Sequence, residues 1–396
     1  MVADASAEHE SGPVSVAQDS STPPTDTGAS TPPVETEAST GDSGQVTTPS
    51  EDAGTETSAP PDLSDVYGGP FNILVLSKTL GYHVDSIPAC QQMLRELGRC
   101  VDQASCATTG DVVIESAKPG SSFHVDVAGA PANCPELPSA TVDSYSSQYN
   151  AYVNQRCDGS SADLSQFSSA NLDVGQFHAG APRGPYQMIF FCSPTGTVFS
   201  SGGPYGAAGM AAIQKFIEAG AAYGGLYLAT DFEDQNGFPW YTNELVGAYF
   251  SGMASTDGTP GSIVTVPQFA EHPVMRGIPS PWPTQDRWLL MNRPPDMAPG
   301  IQVLANGTGI LPLNPSEPPA NSPRPVVWVK QFPPSSDSSG IYQGRMFYTT
   351  RGHNIVRYGE PLFRQLVHQG ILWAAHRLTE PSPDAGVTTS PDSGSD

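Results

Sequence analysis

The sequence predicts an α/β domain built on a doubly wound, mostly parallel sheet. Two observations carry this. Short apolar runs recur at residues 71–77, 187–192, 223–228 and 345–349, each the length of a strand buried on both faces. Helix-like segments with apolar residues on one face alternate with them, and strand–turn–helix alternation is the mark of a parallel sheet covered by helices.

Taken in order, the run at 71–77 follows Gly68, Gly69 and Pro70 and reads as the first strand. A helix opens at Asp85 or Ser86, with Pro88 in its first turn. Ile87, Met93, Leu94 and Leu97 share its apolar face, and Gly98 ends it. Residues 111–115 read as a second strand. Residues 116–184 lack long periodic segments and read as a cysteine-containing insertion. The strand at 187–192 leads into a loop at 193–196, then an alanine-rich helix over 205–218 stopped by Gly220. The strand at 223–228 is followed by a short helix at 243–250 and strands at 263–266, 326–329 and 345–349. An amphipathic helix over 361–377, carrying Leu362, Leu366, Ile371 and Trp373, closes the domain. In open parallel sheets ligands sit outside the strands' C-terminal ends, which points to the loops after Ser77, Cys192, Leu228 and Thr349.

Composition sets the limits of the folded domain at 70–378. Through Asp65 there is no Lys or Arg, and Ser, Thr, Pro and acidic residues dominate. Residues 1–66, and 381–396 likewise, read as disordered because they cannot bury enough apolar surface to offset chain entropy. Thirteen acidic residues fall through Asp65 and four from Glu380 onward, against a net charge of −23 for the chain. The middle therefore has a net charge of roughly −6, which leaves no basic footprint for nucleic acid. No stretch has the length of a transmembrane helix. A Ser/Thr/Pro/acidic leader ahead of a folded domain suits an exported protein, periplasmic or at the cell surface. The expectation is a signal or lipid anchor removed from upstream.

The six cysteines, Cys90, Cys100, Cys106, Cys134, Cys157 and Cys192, fit disulfides in an oxidising compartment, with the pairing left open. There is no Cys-x-x-Cys or His-x-x-x-His, so no metal site is expected, and no cofactor is named. A phosphate-cradling glycine loop and a Gly-x-Ser-x-Gly elbow at Ser193 are both lacking.

Four segments in order resemble the ThuA-like (trehalose utilisation) family. They are 78–87 (KTLGYHVDSI); 216–226 with Pro239-Trp240-Tyr241 and 245–250; 271–278 with Asp286-Arg287-Trp288; and Val326-Val-Trp328 through Gly344-Arg-Met-Phe-Tyr348, Gly352-His353 and 363–375. The resemblance implies a flavodoxin-like core related to class I glutamine amidotransferases, and an association with sugars. Three positions depart from the family pattern. Val84 stands where a histidine is expected, with His83 one residue earlier. Tyr227 replaces a histidine after Gly225-Leu226, and Arg287 replaces an acid. Tyr227 is also where a class I amidotransferase places its nucleophile region, and no thiol is there to perform amidotransfer.

The candidate catalytic residues are His83 and His353, which titrate near neutral pH, and Asp231, which Glu233 and Asp234 follow closely. Asp85 reads mainly as a helix cap, and His272, before Pro273, as part of a turn. Candidate ligand-binding residues are Lys78, Thr79, Tyr82, Tyr227, Trp240, Tyr241, Asp286 and Trp288, with the aromatic rings read either as a sugar platform or as core. Two functions stay open: a protein that binds or modifies a carbohydrate in the cell envelope, and a non-catalytic binding or scaffold protein with a degenerate site.

Overall fold

The structure, a computed structural model, describes residues 67–100, 117–118, 120–160, 164–178, 180–202, 205–233, 236–333 and 344–378. The expected strand at 111–115, the tails, Cys106 and Asp234 lie outside the described residues.

Eleven strands are present among the described residues: β1 (Phe71–Leu76), β2 (Phe123–Val127), β3 (Met188–Cys192), β4 (Ala222–Leu226), β5 (Phe250–Met253), β6 (Thr259–Thr265), β7 (Trp282–Asp286), β8 (Leu289–Met291), β9 (Ile301–Thr308), β10 (Arg324–Gln331) and β11 (Arg345–Thr349). The longer helices are α1 (Ile87–Gly98), α2 (Ser147–Asn154), α3 (Gly206–Glu218) and α4 (Pro361–Ala374). Nine strands form one sheet in the order β2-β1-β3-β4-β11-β10-β9-β6-β7, and β5 pairs with β8 apart from it. The first five run parallel. From β11 onward every neighbour is antiparallel. This antiparallel extension was not anticipated from the sequence. The stretch read as an insertion also holds β2, an edge strand of the main sheet, and the short helix expected at 243–250 is a wide helical turn at Tyr241–Leu245 followed by β5.

Strand alternation explains the layering. Ile73 and Val75 face one core with Met93, Leu94 and Leu97 of α1 and Phe363, Leu366 and Ile371 of α4. Leu74 and Leu76 face the opposite core with Ile213, Phe216 and Ile217 of α3. Helix α4 approaches β11 closely at Gly370, where a Cβ would lie 2.4 Å from the Phe347 ring. Cys90 of α1 is bonded to Cys192 at the end of β3, and Cys134 to Cys157. No described helix is long and apolar enough to cross a membrane.

Candidate functional site

The loops after β1 and β3 are stitched together. Thr79 bridges Thr195, Leu80 N donates to Thr195 O (2.8 Å), and Thr195 Oγ1 donates to Tyr82 O (2.6 Å). Lys78 and Thr79 are half-buried, while Tyr82 is 58% exposed. His83 Nε2 lies 3.2 Å from Asp158 Oδ2. Asp158 is buried, and its other oxygen accepts from Ser160 N (3.2 Å) and Ser160 Oγ (2.9 Å). Burial pushes the Asp158 carboxyl up, but the His83 and Ser160 donors outweigh it and hold it below its usual range. The Asp158 backbone is fixed by Gln91, whose Nε2 donates to its carbonyl (2.9 Å), and by the adjoining Cys134–Cys157 disulfide. A buried carboxylate therefore orients a half-exposed imidazole. Asp158 was missed because it sits in aperiodic sequence; its place between a cysteine and a glycine was the available signal of a fixed turn.

The second group stands at the ends of β4 and β11. Tyr227 adopts a left-handed backbone (φ 48°) directly after β4, an uncommon state for a bulky residue that its surroundings must impose. Its carbonyl accepts from Tyr348 Oη (2.6 Å). Its ring lies 5.2 Å from that of His353, and its hydroxyl 3.8 Å from Met253 Sδ. Burial first, then the Asp286 charge, pushes the Tyr227 phenol well above its ordinary range.

His353 follows Gly352, whose φ of 114° suits glycine. Gly352 is held from three sides. Its carbonyl accepts from Ser86 Oγ at the start of α1 (2.8 Å) and from Tyr358 Oη (2.9 Å), and its N–H donates to Asp286 Oδ2 (3.2 Å). Asp286 is paired in turn with Arg351 Nε (3.3 Å), both side chains almost wholly buried. Arg351 Nη2 also donates to Thr284 Oγ1 (2.6 Å) and Glu360 Oε2 (3.1 Å), and its guanidinium lies over Trp282. His353 Nε2 is 3.9 Å from Asp257 Oδ1, and Asn354 Nδ2 donates to Asp257 Oδ2 (3.1 Å). Burial lowers the His353 pKa against the opposing pull of Asp257 and Asp286, leaving a neutral imidazole at pH 7 with one donor and one acceptor nitrogen.

The remaining expected residues are placed differently. Asp286 is committed to Gly352, Arg351 and its neighbour's amide, so it anchors the His353 loop. Asp231 closes the turn after β4, with Tyr249 Oη 3.4 Å from its Oδ1; burial raises its pKa. Glu233 is fully buried, accepts from Ser200 N (3.1 Å) and contacts Phe199 N and Ser200 Oγ, so its carboxylate is spent on loop structure. Trp240 stacks with Phe332, and Tyr241 bonds Tyr223 and Ala229 O inside the core. Trp288 donates to Thr259 O (2.9 Å) and fills the space over Gly261 and Gly307. These three rings are core packing and form no open platform. Val84 is buried beside Tyr227, Leu228 and Leu289.

A sequence profile for ThuA, trehalose utilisation, matches residues 164–374, more than half of the chain. No curated protein matches. Among solved structures, a putative ThuA-like protein from Bacteroides uniformis ATCC 8492 is 15% identical, with 78% of this chain and 92% of that chain covered at a TM-score of 0.46. One from Parabacteroides merdae ATCC 43184 is 13% identical, with 80% and 94% covered at a TM-score of 0.42. On the breadth of the profile match, the chain belongs to the ThuA family.

Proposed function

We propose that this protein binds a carbohydrate in the crevice at the C-terminal ends of β1, β4 and β11, in the cell envelope. What supports the reading is that two imidazoles held by their neighbours, His83 on Asp158 and His353 beside Tyr227 and Asp257, stand on the loops that follow β1 and β11. A neutral imidazole such as that of His353 and an exposed phenol such as that of Tyr82 suit a hydroxyl-rich ligand because each supplies both a donor and an acceptor. Lys78, Thr79 and Tyr82 edge the same crevice in this reading. The strand order β2-β1-β3-β4-β11 supports a flavodoxin-like core, in which ligands sit outside the C-terminal ends of the strands. Two disulfides suit an exported protein. The test is a thermal-shift and calorimetric screen of the full chain against mono-, di- and oligosaccharides. One sugar class is expected to raise the melting temperature, by about 2.7 kcal/mol of stabilisation at a hundredfold excess over Kd. His353→Ala is expected to abolish the shift. A ligand whose shift survives His353→Ala binds elsewhere.

A second reading, binding without turnover, is favoured by Tyr227. A phenol with its hydroxyl against a methionine sulfur and its pKa driven up by burial is neither nucleophile nor base at pH 7. Apolar Val84 packs beside it. Turnover of a bound sugar by the double variant Val84→His, Tyr227→His but not by the native chain would establish a degenerate enzyme. Turnover by the native chain would reject this second reading.

A further inference from the structure

The segment from His83 to Ser86 is held at every residue. His83 Nε2 meets Asp158 Oδ2 at 3.2 Å, and Val84 packs in the apolar cluster with Tyr227. The Asp85 carbonyl accepts from Tyr149 Oη (2.8 Å), and Ser86 Oγ donates to the carbonyl of Gly352 (2.8 Å), the residue before His353. His83 therefore stands on a segment that touches both the Tyr227 cluster and the His353 loop.

The pair with Asp158 decides which nitrogen of His83 carries the proton. Ser160 N and Ser160 Oγ both donate to Asp158 Oδ1, and with His83 they keep the carboxyl ionised at pH 7. An ionised carboxylate only accepts, so Nε2 must donate, and a neutral imidazole then keeps its lone pair on Nδ1. Among the described residues Nδ1 of His83 has no hydrogen-bond partner and is open to solvent, whereas Nδ1 of His353 is buried. Two other histidine–carboxylate pairs lack this arrangement. His124 and Asp126 are both exposed, and His353 stands 3.9 Å from a half-exposed Asp257. A fixed carboxylate, 1% exposed, behind an accessible imidazole is the arrangement that locks one tautomer.

We infer that Asp158 positions His83 as the hydrogen-bond acceptor of the site, with its proton on Nε2 and its free Nδ1 taking a hydrogen bond from a hydroxyl of the bound sugar. This rests on the carbohydrate reading given above. A nitrogen that accepts and cannot donate recognises a free hydroxyl and rejects a carbonyl, ether or carboxylate oxygen at the same place.

The test is histidine-ring nitrogen NMR of the full chain at about pH 9, above the ordinary histidine value, with the His83 signals assigned by their loss in His83→Gln. The expected result is one tautomer, protonated on Nε2. Asp158→Asn should reverse it. The Ser160 N–H still calls for an oxygen at the Oδ1 position, so the amide nitrogen faces His83, Nε2 becomes the acceptor and the proton moves to Nδ1. A melting temperature checks that the variant folds. Calorimetric titration follows with the mono-, di- and oligosaccharides of the screen above, beginning with glucose and cellobiose. At least one is expected to bind the native chain, to shift the His83 Nδ1 signal saturably, and to bind Asp158→Asn about tenfold or more weakly, because two donors then face each other. The inference is overturned, and the carbohydrate reading stands, if the native proton lies on Nδ1 or is split between the nitrogens, or if Asp158→Asn leaves the tautomer unchanged. The same holds if a sugar binds with the His83 signals unmoved, or binds Asp158→Asn equally well. If no sugar binds, both fall.

Discussion

The two halves of the nine-stranded sheet do different work. The parallel half, β2-β1-β3-β4-β11, ends in the loops that carry His83, Tyr227 and His353, and the Cys90–Cys192 disulfide joins its helix α1 to β3. The antiparallel half contributes no histidine to the site. Its edge strand β7 instead supplies Asp286, Thr284 and Trp282, which hold Arg351 and Gly352 and so fix the loop before His353. On the proposed reading, one half presents the ligand-facing residues and the other sets the geometry of the His353 loop from behind. The antiparallel extension would then bear on binding through Asp286 and Arg351.

The largest expected effect lies at the seam between the halves. Arg351→Met leaves Asp286 buried without its cation, and breaking such a pair typically costs about 3–5 kcal/mol. Urea unfolding of the variant with its disulfides intact would measure this. A loss under ~1 kcal/mol would mean that the two halves are joined chiefly by the β10–β11 pairing.

Acid should have an effect of similar size, and it acts on two histidines away from the site. His368 in α4 is fully buried, and burial pushes its pKa down to about 3. His272 is pushed down to about 4, by burial first and then by Arg345 and Arg276. Both are neutral when folded, whereas the unfolded chain takes up protons below about pH 6.5. Their contribution is therefore complete above pH 6.5 and is lost as pH falls towards the folded values. Each histidine should lower stability by about 1.4 kcal/mol per pH unit within that window. Urea midpoints from pH 7 to 4.5 would show the slope, and a His368→Gln variant with an unchanged slope would contradict the assignment.

In the parallel half, Gly370→Ala pushes a methyl group onto the Phe347 ring and should cost about 1–3 kcal/mol by overpacking. His83→Ala should cost least, about 1 kcal/mol: Oδ2 of the buried Asp158 loses its partner, but Ser160 still holds Oδ1 and the imidazole removed is one-third exposed. Its effect should appear in ligand affinity.

How legible each half was in the sequence follows from the same division. Strands buried on both faces, such as 71–77 and 345–349, are continuous apolar runs that announce themselves, and α1 carries its own proline and glycine signals. The antiparallel strands are mixed. β7 reads Trp-Pro-Thr-Gln-Asp and has no run to detect, while β6 opens on Thr259-Pro260-Gly261, so only its apolar end, read as the strand at 263–266, was legible. Edge strand β2 alternates buried and exposed residues within aperiodic sequence and was absorbed into a supposed insertion. Of the site, the histidines were visible because few residue types titrate near neutrality. Asp158 and Arg351 were not, since their roles depend on partners 75 and 65 residues away in the chain. Trp240, Tyr241 and Trp288 show the converse: aromatic residues near a crevice in sequence can point into the core on either face of the sheet.

The most direct measurement is histidine-ring nitrogen NMR of the full chain, titrated with whichever sugar shifts the melting temperature. His83 and His353 report on the crevice, whereas His272 and His368 report on the core beneath α4. The expected result is that the ring signals of His83 and His353 move saturably together while those of His272 and His368 stay in place. Saturable movement confined to His272 or His368, or to neither pair, would contradict a binding site at the ends of β1, β4 and β11.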